Sequence, residues 1–429
     1  MNLPEPADVA GPAAIRRQNT YTQDAIWTLA GNVVYAAAAW GVVSVVARLG
    51  TPEMVGQFVL ALALIAPVLQ FAGLQLQTVL ATDARDEFRF SEYFRLRMVA
   101  SALGAAFIVA LTLFQDRYRV VLAVVVIVLA SRLSENISDL YYGLFQKHRR
   151  LDLAGKSRMI RAVLGVTALA AGLSLTGRLV VGLAGLAGVW TAMLVLFDRP
   201  RAERFASVPA ARPAGRLWRL MRLGFPLGLT LGLTSLIVNV PRYLLEGLEG
   251  LEALGYYSAM VFFNIGLAMV SQAACQAASA RLAVHFIEDL SRFMRLVRVL
   301  LMLMLVAAAA YVTVVAAFGE AILRVAYGSD YAGYAGLFWV VALAGAVDLL
   351  SGVAGYSLTA ARYFAIQPVL KGATVLVCLV TVYVLTRRYG MTGTAWGSLI
   401  ASTFSLGAGG ATLAVVVRRA KTRRDALSA

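Results

Sequence analysis

The segment "VSVVARLGTPEMVGQFVLALALIAP" (Val43 to Pro67) places a short polar stretch, residues 48–57, between two long apolar runs. In a soluble domain such a stretch is a surface turn, whereas in a membrane protein it is the hairpin between two spanning helices. Composition decides between the two. Charged residues make up only 14% of the 429-residue chain and hydrophobic residues 60%, whereas ordinary soluble domains carry about 25% charged residues. The segment therefore predicts a helical hairpin in a polytopic membrane protein.

Apolar windows of about 20 residues, the length that crosses a hydrocarbon core of about 30 Å, recur along the whole chain. They predict an all-α membrane protein with twelve transmembrane helices. The predicted spans are 24–49, 55–82, 93–114, 120–146, 160–175, 179–197, 225–245, 254–280, 299–317, 335–358, 365–385 and 395–417.

The distribution of Lys and Arg supports this map. With a cytoplasmic N-terminus, 29 of the 39 basic residues fall at the cytoplasmic ends of the spans, seven fall at the outer ends, and Arg132, Arg242 and Lys371 lie within spans. This asymmetry follows the positive-inside rule and predicts that both termini are cytoplasmic. The net charge of +16 is then explained by contact with anionic lipids of the inner leaflet, and binding to nucleic acid is not expected.

The predicted organisation consists of two similar halves. A cytoplasmic tail (1–23) precedes a first six-helix bundle (24–198), and a basic linker (199–222) leads to a second bundle (223–417) and a basic tail (418–429). The stretch "LEALGYYSAM" (251–260) repeats the pattern of "PEMVGQFVLA" (52–61): a Glu, two apolar residues, a Gly and, two positions later, an aromatic residue. Six spans per half predict parallel repeats related by an axis along the membrane normal.

Charged residues within the spans indicate where a functional site lies. Such residues cost about 2.5–3.5 kcal/mol each at the centre of a bilayer, so they normally face a protein interior or a water-filled cavity. In the fourth span Arg132, Glu135, Asp139, Tyr142 and Gln146 recur at steps of three and four, which places them on one face of a helix. This face predicts one wall of a polar cavity. The alternative is a seam of interhelical salt bridges that only fixes packing.

Other polar residues in the spans allow two interpretations. Asn239 and Arg242 share one face of the seventh span, and Arg242, like Arg48, lies near an outer end, where a long side chain can snorkel to the headgroups. Lys371 can do the same near a cytoplasmic end, whereas Asp348 lies deeper in its span. Cavity lining and snorkelling both remain open for the three cations.

The sequence gives no indication of an enzyme. It contains no P-loop, GxSxG or HExxH motif, and its two histidines and two cysteines do not predict a metal site. The predicted outer turns are too short to hold a catalytic domain. Charged residues within the membrane, combined with short loops, predict a transporter that needs no cofactor.

Three stretches resemble bacterial polysaccharide flippases of the O-antigen and exopolysaccharide type, which belong to the multidrug/oligosaccharidyl-lipid/polysaccharide exporter superfamily. Residues 45–64, "VVARLGTPEMVGQFVLALAL", resemble their first hairpin; residues 223–259 are similar to the start of their second half; and residues 322–345, "ILRVAYGSDYAGYAGLFWVVALAG", are similar to their ninth-to-tenth-span junction. The resemblance implies a MATE-like, V-shaped pair of six-helix bundles. It also implies translocation of a polyprenyl-diphosphate-linked oligosaccharide across the bacterial inner membrane by alternating access.

Given that function, Arg132 is expected to be the central contact of the diphosphate, because a guanidinium forms paired, charge-assisted hydrogen bonds with phosphate. Replacement of Arg132 by Ala is therefore expected to abolish glycan export. The other candidates form three groups. The further diphosphate contacts are Arg242, Arg48, Lys371 and Asn239; the counter-ions or sites for a coupling proton or sodium ion are Glu135, Asp139 and Asp348; the sugar-facing residues are Tyr35, Tyr142 and Tyr356.

Other functions remain open at this stage. A cation-coupled multidrug-type antiporter of the same fold would have a cavity dominated by acids and aromatic residues, and a membrane-embedded glycan polymerase or ligase would have a large outer loop. A non-transporting scaffold for glycan assembly is a third alternative. A flippase would have membrane lipids, a glycan polymerase and a chain-length regulator protein as expected partners.

Overall fold

The computed structural model describes residues 21–83, 86–205, 216–363 and 365–428. All regular elements within these ranges are helical. They are α1 (Tyr21–Leu49), α2 (Pro52–Ala72), α3 (Leu76–Thr82), α4 (Phe90–Phe114), α5 (Asp116–Arg119), α6 (Leu122–Lys147), α7 (Leu151–Thr176), α8 (Leu179–Met193), a π-helical turn (Leu194–Asp198), α9 (Arg199–Ala202), α10 (Arg216–Val261), α11 (Phe263–Glu288), α12 (Leu290–Tyr327), α13 (Ser329–Ala332), α14 (Ala335–Ala360) and α15 (Ile366–Ser428).

The first hairpin forms because its polar residues are those that end one helix and begin the next. α1 ends at Leu49, and the Thr51 side chain accepts a hydrogen bond of 3.3 Å from the Met54 N–H, which caps α2. Pro52 occupies the first helical turn, where backbone N–H groups have no hydrogen-bond partner within the helix, so that the missing N–H of proline costs no helical hydrogen bond. Glu53 lies at the positive end of the helix dipole. The predicted hairpin is confirmed.

Nine helical segments of the described ranges are long and apolar enough to cross a membrane. Two of them, Arg216–Glu288 and Ile366–Thr422, are long enough for two crossings, and non-helical backbone at Gly250 and Gly390 divides them. α6 is not among the nine, and its apolar run is interrupted by the charged residues of the predicted cavity wall. Dividing the two long segments and adding α6 gives twelve helical stretches in the order of the twelve predicted spans.

The helices form two bundles, α1–α9 and α10–α15. α7 packs on α1 and α8 in the first bundle, α14 packs on α11, α12 and α15 in the second, and α10 packs along α2 between them. We call the side of the α1–α2 hairpin the outer side and the opposite side the inner side. The largest apolar cluster joins both bundles around the outer ends, whereas one separate cluster surrounds α3, α4 and α6 and another surrounds α11, α12 and α14 toward the inner side. The architecture is therefore V-shaped and closed at the outer side.

The structure describes both ends of the predicted connector between the bundles. The chain remains helical through the π turn to Ala202 and becomes helical again at Arg216, so both ends of the predicted linker 199–222 are helical. The Arg216 guanidinium lies 3.9 Å from the Glu92 carboxylate, which attaches the start of α10 to the first bundle. Residues 206–215 of the linker and residues 1–20 of the predicted N-terminal tail lie outside the described residues.

Two helices of the second bundle also extend beyond their predicted ends. α12 covers Leu290–Tyr327 instead of 299–317, because Asp289 accepts hydrogen bonds from the first backbone N–H groups and begins the helix early. Gly328, with a φ of 109°, ends it. The last helix continues to Ser428, through most of the predicted tail 418–429.

Candidate functional site

A cavity of about 910 Å³ lies between the two bundles, on the inner side of the outer apolar cluster. Its walls come from α1, α2, α3, α4 and α6 of the first bundle and from α10, α11, α14 and α15 of the second. The volume lies at the upper end of the range for ligand pockets. The cavity wall is mostly apolar, and its charged residues are grouped on particular helices.

Three polar side chains at the α6 wall form hydrogen bonds with one another. Arg132 Nη1 donates a hydrogen bond of 2.6 Å to Glu135 Oε2, and the Tyr35 hydroxyl of α1 donates to Glu135 Oε1. The Arg132 guanidinium also lies 5.3 Å from the centre of the Trp190 ring. Arg132 therefore lies in the cavity wall, as the sequence predicts, but its charge is already balanced by Glu135.

A second ion pair lies behind this group, inside the first bundle. Arg161 Nη2 donates to Asp198 Oδ2 at 2.9 Å and to the Ser138 hydroxyl, and the two charged side chains are 2% and 0% exposed. Asp198 is the last residue of the π-helical turn after α8, and such turns are frequent at functional sites. The Arg161 guanidinium lies 5.6 Å from the same Trp190 ring. Trp190 thus contacts both cations.

Asp139 and Tyr142 of the predicted α6 face have different environments. Asp139 lines the cavity, and its carboxylate lies 3.9 Å from the Arg158 guanidinium of α7. Tyr142 is buried, its hydroxyl is 2.8 Å from the Ser157 hydroxyl, and it is not among the residues that line the cavity. The reason is geometric: ten residues at 100° each place Tyr142 about 80° away from Arg132 around the helix.

Arg97 of α4 is a cavity residue that the sequence did not single out. The residue is 4% exposed, its Nη1 donates to Asn136 Oδ1, and no described residue accepts a hydrogen bond from its Nε. Its guanidinium forms no ion pair within 4.0 Å among the described residues, and Asp139 acts on it electrostatically from a greater distance. Arg97 is therefore a buried cation without its own counter-ion.

The chain breaks its second span beside Arg97. α2 ends at Ala72, and Leu74 and Gln75 adopt left-handed backbone with φ of 48° and 52° before α3 begins. A Cβ at Gly73 would lie 3.1 Å from Arg97 Nη1, so the glycine leaves room for the guanidinium. Non-glycine residues in this conformation are strained and cluster at functional sites.

Arg242 is the corresponding cation of the second bundle. It is 8% exposed, donates a hydrogen bond of 2.8 Å to Asn239 Oδ1, lies 5.8 Å from the Phe262 ring, and lines the cavity. Its Nε lacks a hydrogen-bond partner, and within the described ranges no carboxylate lies within 4.0 Å of it. Of the two alternatives for Arg242, the structure therefore shows cavity lining and not snorkelling.

The remaining candidates divide between the cavity and other places. Asp348 and Tyr356 line the cavity. Lys371 does not line it, although its ammonium interacts electrostatically with Asp348. Arg48 is exposed at the outer side, where its Nε donates to the Ala326 carbonyl at 3.1 Å. Arg48, Lys371 and Tyr142 were predicted as site residues, and the structure places all three outside the cavity lining.

Comparisons with known proteins agree with this architecture. A family described as "Polysaccharide biosynthesis protein" matches residues 21–280. The capsular polysaccharide biosynthesis protein CapF of Staphylococcus aureus is 23% identical over 368 residues, which cover 85% of this chain and 92% of CapF.

Two solved structures show the fold. An inward-facing multidrug resistance MATE family transporter of the MOP superfamily aligns with a TM-score of 0.74 at 12% identity, over 90% of this chain and 96% of the transporter. The lipid II flippase MurJ in an inward closed conformation aligns with a TM-score of 0.68 at 11% identity, over 90% of this chain and 86% of MurJ. These neighbours are a transporter and a flippase, not enzymes. The chain is a multi-pass membrane protein with this transporter fold, and it belongs to the polysaccharide biosynthesis protein family.

Proposed function

We propose that the chain translocates an oligosaccharide linked to a polyprenyl diphosphate across the bacterial cytoplasmic membrane by alternating access. One observation carries this proposal: Arg97 and Arg242, each a buried guanidinium without an ion-pair partner among the described residues, line one cavity from opposite bundles. The positive-inside distribution of basic residues supports a cytoplasmic location for both termini and for the inner side of the cavity.

A buried cation without a counter-ion is unfavourable, and an anionic ligand would compensate for it. A diphosphate fits this requirement, since the planar guanidinium fork forms paired hydrogen bonds with phosphate oxygens. At 1.5 Å per residue, Arg97 lies about 10 Å from the inner end of α4 and Arg242 about 12 Å before the bend at Gly250 on the outer side. The two cations therefore offer contacts at two depths of the membrane.

The apolar part of the cavity wall suits the lipid part of the same substrate. Leu62, Ile65, Ala66, Ile265 and Ala268 line it, and they offer no hydrogen bonds to a sugar. An amphiphile can keep its chain along this surface while its head group contacts the guanidiniums. Glu135, Asp139 and Asp348 are proposed counter-ions or coupling-ion sites, and Tyr35 and Tyr356 are proposed sugar contacts.

The proposal is tested with the full chain reconstituted in lipid vesicles that contain a polyprenyl-diphosphate-linked oligosaccharide in both leaflets. A membrane-impermeant glycosidase added outside should reach the lipid of both leaflets only in vesicles that contain the protein. A lipid with the same glycan but no phosphate serves as the control and should stay half protected.

Three results would contradict the proposal. The first is continued protection of the inner leaflet by protein that is fully inserted. The second is efflux of an organic cation such as ethidium without movement of the glycolipid, which would indicate an antiporter. Lengthened glycan chains without exposure of the inner leaflet would instead indicate a polymerase or ligase.

A further inference from the structure

The two bundles touch backbone to backbone at a pair of glycines near the outer side. A Cβ at Gly56 of α2 would overlap the Leu251 carbonyl oxygen and lie 2.7 Å from its carbonyl carbon. A Cβ at Gly255 of α10 would overlap the Pro52 carbonyl oxygen and lie 2.8 Å from that carbonyl carbon. Each glycine therefore faces the carbonyl of the residue four positions before the other glycine, and the contact is reciprocal.

These residues occupy equivalent positions of the sequence repeat. Residues 52–61 and 251–260 have the same order of exposed, half-buried and buried positions, residue by residue. Pro52 corresponds to Leu251, and Gly56 corresponds to Gly255. A reciprocal contact between equivalent residues lies on the axis that relates the two halves. The glycine contact is therefore the point about which the halves meet at the outer side.

Two polar contacts flank the glycines and also join the bundles. At the end of the first span, Arg48 donates to the carbonyls of Val325 and Ala326 at the end of α12, the ninth predicted span. At the end of the seventh span, Glu246 lies 4.0 Å from Arg117, which follows the third span. A two-fold axis that relates the halves exchanges the first span with the seventh and the third with the ninth. It therefore exchanges the contact between the first and ninth spans with the contact between the third and seventh spans. We call the glycine pair and these two contacts the outer seal.

We propose that the outer seal is the gate of the outer side, and that glycine is required at positions 56 and 255 only while this gate is closed. The group opposite each glycine is main chain, which cannot move aside as a flexible side chain can. A methyl group at either position therefore forces α2 and α10 apart. When the outer side is open, the methyl group has room. Gly56→Ala and Gly255→Ala should then shift the molecule toward the outward-open state, although neither substitution alters a residue that lines the cavity. This proposal does not depend on the identity of the substrate.

The experiment measures the distance across the outer seal in the full chain. Spin labels are attached at Glu53→Cys and Glu252→Cys, two exposed and equivalent positions, after Cys275→Ala and Cys378→Ala, and pulsed electron spin resonance is recorded in lipid nanodiscs. Gly56→Ala and Gly255→Ala should each raise the ratio of the longer to the shorter distance about tenfold, which corresponds to about 1.4 kcal/mol. Gly188→Ala and Gly266→Ala are matched controls, because an added Cβ would meet no described atom within 4 Å outside its own stretch of helix, and they should leave the distances unchanged.

A second variant tests the same seal if the glycine variants do not fold. Arg48→Ala combined with Glu246→Ala removes both flanking contacts and leaves the glycine contact intact, and it should also increase the longer-distance population. Unchanged distances in the folded glycine variants would overturn the proposal. Where those variants do not fold, unchanged distances in the Arg48→Ala/Glu246→Ala variant would overturn it.

Discussion

Arg97→Ala is expected to slow translocation of the diphosphate-linked lipid by about ten- to a hundredfold, the equivalent of about 1.5–3 kcal/mol for hydrogen bonds to a charged group. The guanidinium lines the cavity, and among the described residues it has only Asn136 as a hydrogen-bond partner and an unpartnered Nε. It is therefore available to a ligand, whereas Arg132 is already held by Glu135. The measurement is the initial rate in the vesicle assay at low substrate concentration.

Arg95→Ala is the matched control for this prediction. Arg95 lies two residues before Arg97 on the same helix but is exposed, so its loss should leave the rate unchanged although it removes the same charge. Arg97→Lys should recover only part of the rate, because an ammonium keeps the charge but not the paired hydrogen bonds. A wild-type rate for Arg97→Ala would remove Arg97 from the proposed site. In that case an Arg132→Ala variant without activity would restore the sequence-based assignment.

The fold was predictable because its determinants are local. Composition separates membrane from soluble chains, and the Gly-Thr-Pro-Glu stretch at the first hairpin contains the residues that end and begin helices. The repeat of this stretch at 251–260 correctly indicated the second bundle. The ends of helices were predicted less well: α4 begins at Phe90 instead of residue 93. With a start at residue 93, Arg97 lies only about one turn from the predicted end of the span and was counted with the charges of the cytoplasmic end, so its place in the cavity wall was missed.

The candidate site was only partly predictable, because its pairings are distant in sequence. Helical periodicity placed Arg132, Glu135 and Asp139 on one wall, but it does not reveal that Tyr35 contacts Glu135. Helical periodicity also does not reveal that Arg48 donates hydrogen bonds to carbonyl groups in the last turn of α12. A signal for Arg97 did exist in the sequence. Gly73, Gln75 and Gln77 interrupt an apolar run, and the chain breaks its helix at that point.

Asp198→Ala is expected to destabilise the protein by about 3–5 kcal/mol, the usual loss when one partner of a buried ion pair is removed. Arg161 and Asp198 are almost completely inaccessible, and Arg161 would keep its charge beside Trp190 without its hydrogen-bonded ion-pair partner. Asp198→Asn should lose less, since the amide oxygen can still accept the Arg161 hydrogen bond. The measurement is the free energy of unfolding of the purified protein in detergent, followed by denaturant titration.

Glu203→Ala is the control that separates burial from charge. Glu203 pairs with Arg199 at 2.8 Å, but both side chains are about 60% exposed, and exposed pairs contribute little to stability. Replacement of the whole buried pair by apolar residues, as in Arg161→Met/Asp198→Leu, should recover most of the stability, because no charge is then left in the interior. A loss for Asp198→Ala no larger than that for Glu203→Ala would contradict this account. It would show that the charge of Arg161 is compensated without Asp198.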